Sequence, residues 1–145
     1  MSEFRSPSDK DPIQESAGAI TEHGSGVIRE RDFMGYKVAR EFMDEFGFLK
    51  ALSEIQGTAV ADILGSFVRS GIVLGMKKKT DEASLQEEIE RQLGILDPLL
   101  MRTIGKLVPI MVMRGAEFYR DELAQNTVKT QEWKQEFNLL VSSES

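Results

Sequence analysis

The sequence of 145 residues contains no cysteine and a single histidine, His23. Without cysteine there is no disulfide framework, no thiolate metal site and no cysteine nucleophile, which fits a reducing compartment. Because His23 lies in a polar stretch punctuated by Pro7, Pro12, Gly18, Gly24 and Gly26, it reads as a solvated side chain. That leaves no serine with a histidine beside it for nucleophilic catalysis. Asp62 and Asp121 form only the nominal carboxylate pair that any acidic chain offers. There is no Gly-x-Gly-x-x-Gly, no P-loop and no metal-ligand spacing. No run reaches the ~18–20 uncharged apolar residues of a membrane span. Residues 1–8 lack the apolar core of a signal peptide. The expectation is a cytoplasmic protein with no transmembrane segment, no catalytic residues, no metal and no cofactor, and not an enzyme.

The formal net charge is −6, but it is unevenly distributed. Residues 1–32 hold 4 basic and 7 acidic side chains, residues 33–125 hold 12 and 14, and residues 126–145 hold 2 and 3. A nearly neutral central region gives no broad attraction to nucleic acid. Residues 1–32 have few large apolar side chains to offset the entropy of ordering and are expected to be a disordered arm. Residues 33–125 are expected to form one helical domain. Residues 126–145 read as an amphipathic segment with a polar tail.

The most apolar stretch is Thr58–Gly75, with small residues at Ala61, Gly65, Ser66, Ser70, Gly71 and Gly75 and only Asp62 and Arg69 charged. Thr58 can cap a helix over 59–75, and so apolar a helix is buried on most of its circumference. Ala61 and Gly65 share one face, and Gly71 and Gly75 share another. A face without side-chain bulk admits a second backbone, so these four residues are the candidate helix-packing and oligomer interface: packing between helices inside the protein is the plain reading, and a partner helix across a subunit boundary at Gly71 and Gly75 is the sharper one. Lys77, Lys78 and Lys79 follow at once. They sit favourably beyond a helix C-terminus and are candidate anion contacts.

Upstream, Tyr36, Ala39, Phe42, Met43, Phe46, Leu49, Leu52 and Ile55 step by threes and fours, predicting a helix over 36–56 that Gly47 can kink or break. Downstream, Thr80 or Ser84 starts a helix over 82–93, with Ser84 to Glu87 in the capping-box form and Gly94 ending it. Asp97-Pro98 is a strong helix start for a long apolar segment over 98–124, which Pro109 should bend or divide. In the last helix, over 128–140, Trp133, Phe137 and Leu140 share a face and form a candidate partner-docking surface.

The segment Ala51–Ile72 places a helix, a Gly-Thr turn and a second helix of small and aliphatic residues in sequence. It resembles the two-helix part of ribbon-helix-helix DNA-binding proteins. A long helical region behind it is similar to the accessory proteins of plasmid conjugative transfer. That resemblance implies a strand at Met34–Ala39, paired in a dimer, with Lys37 reading bases in the major groove and Arg31 and Arg40 contacting phosphates. Helical spacing covers more of the same residues than strand alternation does.

The fold expected is therefore mainly α: a compact bundle of four or five helices with a disordered N-terminal arm. Two largely buried helices are generous for a domain this small, and self-association would supply the missing cover. The leading expectation is a non-enzymatic oligomerising adaptor acting through protein–protein contacts. The alternatives are a DNA-binding accessory protein of the ribbon-helix-helix type and a peripheral membrane protein using Lys77–Lys79.

Overall fold

The computed structural model describes residues 29–47 and 59–144. His23 and the rest of 1–28, the turn at Gly57 and Thr58, and the span 48–56 assigned to the first helix lie outside them. Among the described residues there are helices and no strands. They are α1 (Glu30–Glu45), α2 (Ala59–Met76), α3 (Glu82–Leu93), α4 (Pro98–Ile104), a 3-10 turn (Gly105–Leu107), α5 (Val108–Phe118), a π-helical segment (Tyr119–Leu123) and α6 (Val128–Glu144).

The centre of the fold is α2. It packs against α1 on one side and α5 on the other, and Leu64, Phe67, Val68 and Ile72 are completely buried. Both contacts bring backbone close to backbone. A Cβ on Gly35 of α1 would stand 2.5 Å from the Gly65 carbonyl oxygen, and one on Gly65 would stand 3.0 Å from Tyr36 Cα. On the other side Gly71 faces Gly115 of α5. A Cβ there would overlap the Val112 carbonyl oxygen and lie 3.0 Å from Gly115 Cα. The two small faces of α2 thus hold its neighbours at closer range than side chains would permit. Ser66 and Ser70 donate to the carbonyls of Ile63 and Phe67, each at 2.7 Å, so the hydroxyls need no outside partner.

The helix boundaries follow local chemistry. Asp97 accepts from Leu100 N at 2.8 Å and Pro98 occupies the first turn of α4. Asp81 caps α3, accepting from Ser84 N at 3.1 Å and Ser84 Oγ at 2.8 Å. The cap is therefore Asp81, and Ser84 is its donor rather than the start of the helix. The expected long helix is divided: the 3-10 turn ends α4, and Pro109 falls in the first turn of α5, where its missing N–H is tolerated. At the end of α2, Lys79 N donates to Leu74 O at 2.9 Å and Lys78 N to Gly75 O at 3.0 Å. This is a Schellman closure, and it puts Lys78 at φ 59°. Asn126 does the same at φ 51° before α6.

The arm expected over 1–32 lies outside the described residues up to residue 28, and its last residues are helical. Glu30, Arg31 and Asp32 belong to α1, because Phe33, Met34 and Tyr36 are already core residues and the turn before them carries the helix into place. Arg29, at the cap position, makes no side-chain capping bond, so no capping pattern marks this start. The strand that the ribbon-helix-helix resemblance requires at Met34–Ala39 is α-helical, with Met34, Gly35, Tyr36, Val38 and Ala39 all buried.

Candidate functional site

The structure separates the residues expected to act together. Ala61, Gly65, Gly71 and Gly75 are buried within the chain. The helices that approach Gly65 and Gly71 are α1 and α5, and Gly75 lies under the Tyr119 side chain, whose Cβ would be 2.9 Å from a methyl there. The helix partner expected across a subunit boundary is therefore supplied by the same chain.

Trp133 and Phe137 are likewise spent inside the molecule. The Trp133 ring stacks on Phe118 with centroids 5.3 Å apart, and Phe137 lies 5.6 Å from Phe33. Leu140, half-buried, packs beside them. These contacts fix α6 onto α1 and, through Phe118, onto α5, together with Lys37–Glu136 at 3.0 Å and Lys129–Glu41 at 2.9 Å. The ammonium groups of Lys37 and Lys129 also lie over the Trp133 ring, 5.4 and 5.1 Å from its centroid. Lys37, expected as a base-reading residue, is thus held by a carboxylate and an aromatic face. Arg40 is half-buried on α1. Lys77, Lys78 and Lys79 are exposed at the end of α2.

Two features went unread in the sequence. The first is the π-helical segment, in which Ala124 N donates to Tyr119 O at 2.8 Å. Such widened turns frequently occur at functional sites. Here the segment places Tyr119 against Gly75 and on the walls of two pockets, of about 500 and 430 Å³. The larger has Met34, Ile72, Met76, Tyr119 and Leu123 as its apolar lining, with Arg29, Arg31 and Lys134 as cations and Glu30 as the one acid. The smaller lies between α2, α3 and α5, around Leu85, Met113, Ala116 and Arg120. Arg29 was hidden because its stretch is polar and resembles the arm, and Arg31 stood out only as a phosphate contact implied by the ribbon-helix-helix resemblance. Spacing alone does not bring Lys134 to them.

The chain matches no family model, no curated protein and no solved structure.

The second feature is the outward side of α5. Its inner row, Val108, Met111, Val112 and Gly115, is buried against α2. Ile110 and Met113, three residues apart, remain 43% and 40% exposed. Earlier in the chain, Ile95 in the α3–α4 connection and Leu99 in α4 are exposed as well, at 68% and 64%, as is Met101. In contrast, α2 is covered, so only one of the two very apolar helices finds full cover within a single copy.

The titrating groups near these features are few. Asp32 pairs with Arg69 at 2.9 Å, yet burial pushes its carboxyl above the ordinary value, outweighing the opposing pull of Arg69, Arg29 and Arg31. Asp81 is held below the ordinary carboxylate value by the Ser84 hydrogen bonds. Among the described residues no three His, Asp or Glu side chains converge as metal ligands, and no helix is long and apolar enough to cross a membrane.

Proposed function

We propose that the protein is a non-enzymatic helical adaptor that works through protein–protein contacts, beginning with a second copy of itself, and that the outward face of α5 with α4 is the contact surface. One observation carries this reading. The first half of α5, Val108–Met113, is apolar on every side, as in a helix covered all round, while Ile110 and Met113 stand exposed and Leu99 and Ile95 are exposed earlier in the chain. Contiguous exposed apolar side chains mark interaction surfaces, and Ile110 and Met113 are neighbours one turn apart on α5. An antiparallel pairing of two α5 helices about a two-fold axis would bury the row once from each side.

Sedimentation velocity of the full chain tests the proposal. A mass above the monomer is expected, reduced to the monomer by Ile110→Glu with Met113→Glu while the helical circular dichroism persists. A wild-type protein that stays monomeric at high concentration would refute self-association. Duplex DNA serves as the control arm. Site-specific binding at ~10⁻⁸ M or tighter, steeply weakened by salt, would establish DNA binding in place of this reading.

A further inference from the structure

The larger pocket has a chemistry that the adaptor reading does not use. Its lining is apolar at Met34, Ile72 and Leu123, with Met76 and Tyr119 beside them, and its charged residues are net positive although the chain as a whole is acidic. Met34 and Ile72 are core residues that form a rigid floor already closed to solvent, so the apolar surface open to a ligand is that of half-exposed Met76 with Tyr119 and Leu123. Arg29, Arg31 and Lys134 are in no salt bridge among the described residues, unlike Lys37, Arg69, Arg114 and Lys129. The Nε of Arg31 is buried with no hydrogen-bond partner. A buried donor without an acceptor is costly, and a guanidinium is shaped to receive a carboxylate or phosphate with two parallel hydrogen bonds. The volume of about 500 Å³ falls within the ~300–1,000 Å³ of small-molecule sites.

From this juxtaposition we propose that the pocket binds a single-chain anionic amphiphile: an aliphatic tail against Met76, Tyr119 and Leu123, and a terminal carboxylate or phosphate at Arg31 with Arg29 and Lys134. An apolar neutral ligand would leave the charges of Arg29, Arg31 and Lys134 without a counter-charge. A small free anion would leave the apolar surface wet. An anion carrying a tail satisfies both parts. The unbranched thioether of Met76, half exposed at the mouth, suits a flexible chain. The π-helical segment is what supplies Tyr119 and Leu123 to the wall, so the widened turn has a purpose in this reading. The proposal does not depend on the α5 surface, since the two share no residue.

Isothermal titration of the full chain with monomeric dodecanoate, dodecyl phosphate and dodecanol tests it. Saturable binding of either anion is expected, with dodecanol at least about tenfold weaker, as loss of a charge-assisted hydrogen bond implies. The preferred anion identifies the head group. Arg31→Gln should weaken that anion about tenfold and leave dodecanol unchanged. Lys134→Gln should weaken it less. Both positions are partly solvent-exposed, and circular dichroism verifies that the variants fold. Equal affinity for dodecanol and the anions would overturn the proposal. So would an Arg31→Gln protein that binds as the wild type does, or the absence of saturable binding by all three ligands.

Discussion

Replacing Gly71 with alanine tests the central packing directly. The added methyl would overlap the Val112 carbonyl oxygen and stand 2.9 Å from Ala116 N and 3.0 Å from Gly115 Cα. Every one of these obstacles is backbone, so no rotamer change relieves them. Restoring ordinary contact beyond 3.4 Å requires α2 and α5 to part. A gap of about 0.5–1 Å already forfeits a quarter to a half of each contact's attraction. Overpacking of this kind costs about 1–3 kcal/mol, and blockage by two rigid backbones puts Gly71→Ala at the upper end. Alanine returns about 1 kcal/mol through its better helix propensity. The expected net loss is about 2 kcal/mol, or about 6–8 °C in Tm for a domain of this size. Gly75→Ala should cost less, because only the Tyr119 side chain stands in the way, at 2.7–2.9 Å. Gly94→Ala is the control. Its methyl meets nothing nearer than Arg91 O at 3.4 Å and its φ of −67° suits alanine, so it should stabilise by about 0.4–1 kcal/mol. Thermal and urea unfolding read all three. A Gly71→Ala protein as stable as the wild type would refute the backbone seam.

Removing the α4 cap with Asp97→Ala should cost about 1 kcal/mol in urea unfolding; no loss would mean that α4 is held by packing alone. Lys78→Gly should stabilise by about 0.5–1 kcal/mol, since glycine relieves the left-handed conformation but has more unfolded-state entropy to lose, and an unchanged Tm would contradict the Schellman geometry. Burial raises the Asp32 carboxyl above its unfolded value, so the stability it contributes is full below the unfolded value and is lost as pH rises through the raised folded one. Asp32→Asn should therefore melt no lower than the wild type at neutral pH, with the two curves converging in acid; a much lower Tm at neutral pH would show that the Arg69 pair outweighs burial. Asp81 runs the opposite way. Its carboxyl is depressed, so its support of α3 is present above the unfolded value and fades as pH falls through the folded one, read as faster amide exchange at the start of α3.

Where a signal is local, the chain could be read directly. The apolar run beginning after Thr58 gave α2 almost to the residue, and Asp97-Pro98 marked the start of α4, because cap chemistry and composition act within a few residues. The start of α1 was hidden: Glu30, Arg31 and Asp32 are polar, Arg29 offers no capping side chain, and their helix depends on Phe33 and Met34 reaching a core formed much later in the chain. That Gly71 and Gly75 must face something was evident from their lack of side chains. What fills the space was not, because nothing in their spacing distinguishes Gly115 of the same chain from a neighbouring copy. Trp133 and Phe137 show the same limit, since an amphipathic face announces that it will be covered without saying by whom. The π-helical turn left no trace that local sequence would reveal.

A contact of backbone on backbone has no side chains to rearrange, so it cannot be tuned by degrees. Moving α2 one residue along α5 would carry Ile72 into the space Gly71 holds beneath the Val112 carbonyl. The neighbouring α1 contact at Gly35 and Gly65 forbids the same slip on the other side. The register of these three helices is therefore fixed, and they are expected to open together or not at all, with amides of α2 the last to exchange. Motion within the domain is left to the parts not locked in this way: α6, held by rings and two ion pairs, and the irregular turns at 105–107 and 119–123. Helices α1, α2 and α5 are thus expected to act as one rigid spine, with any hinge lying outside it.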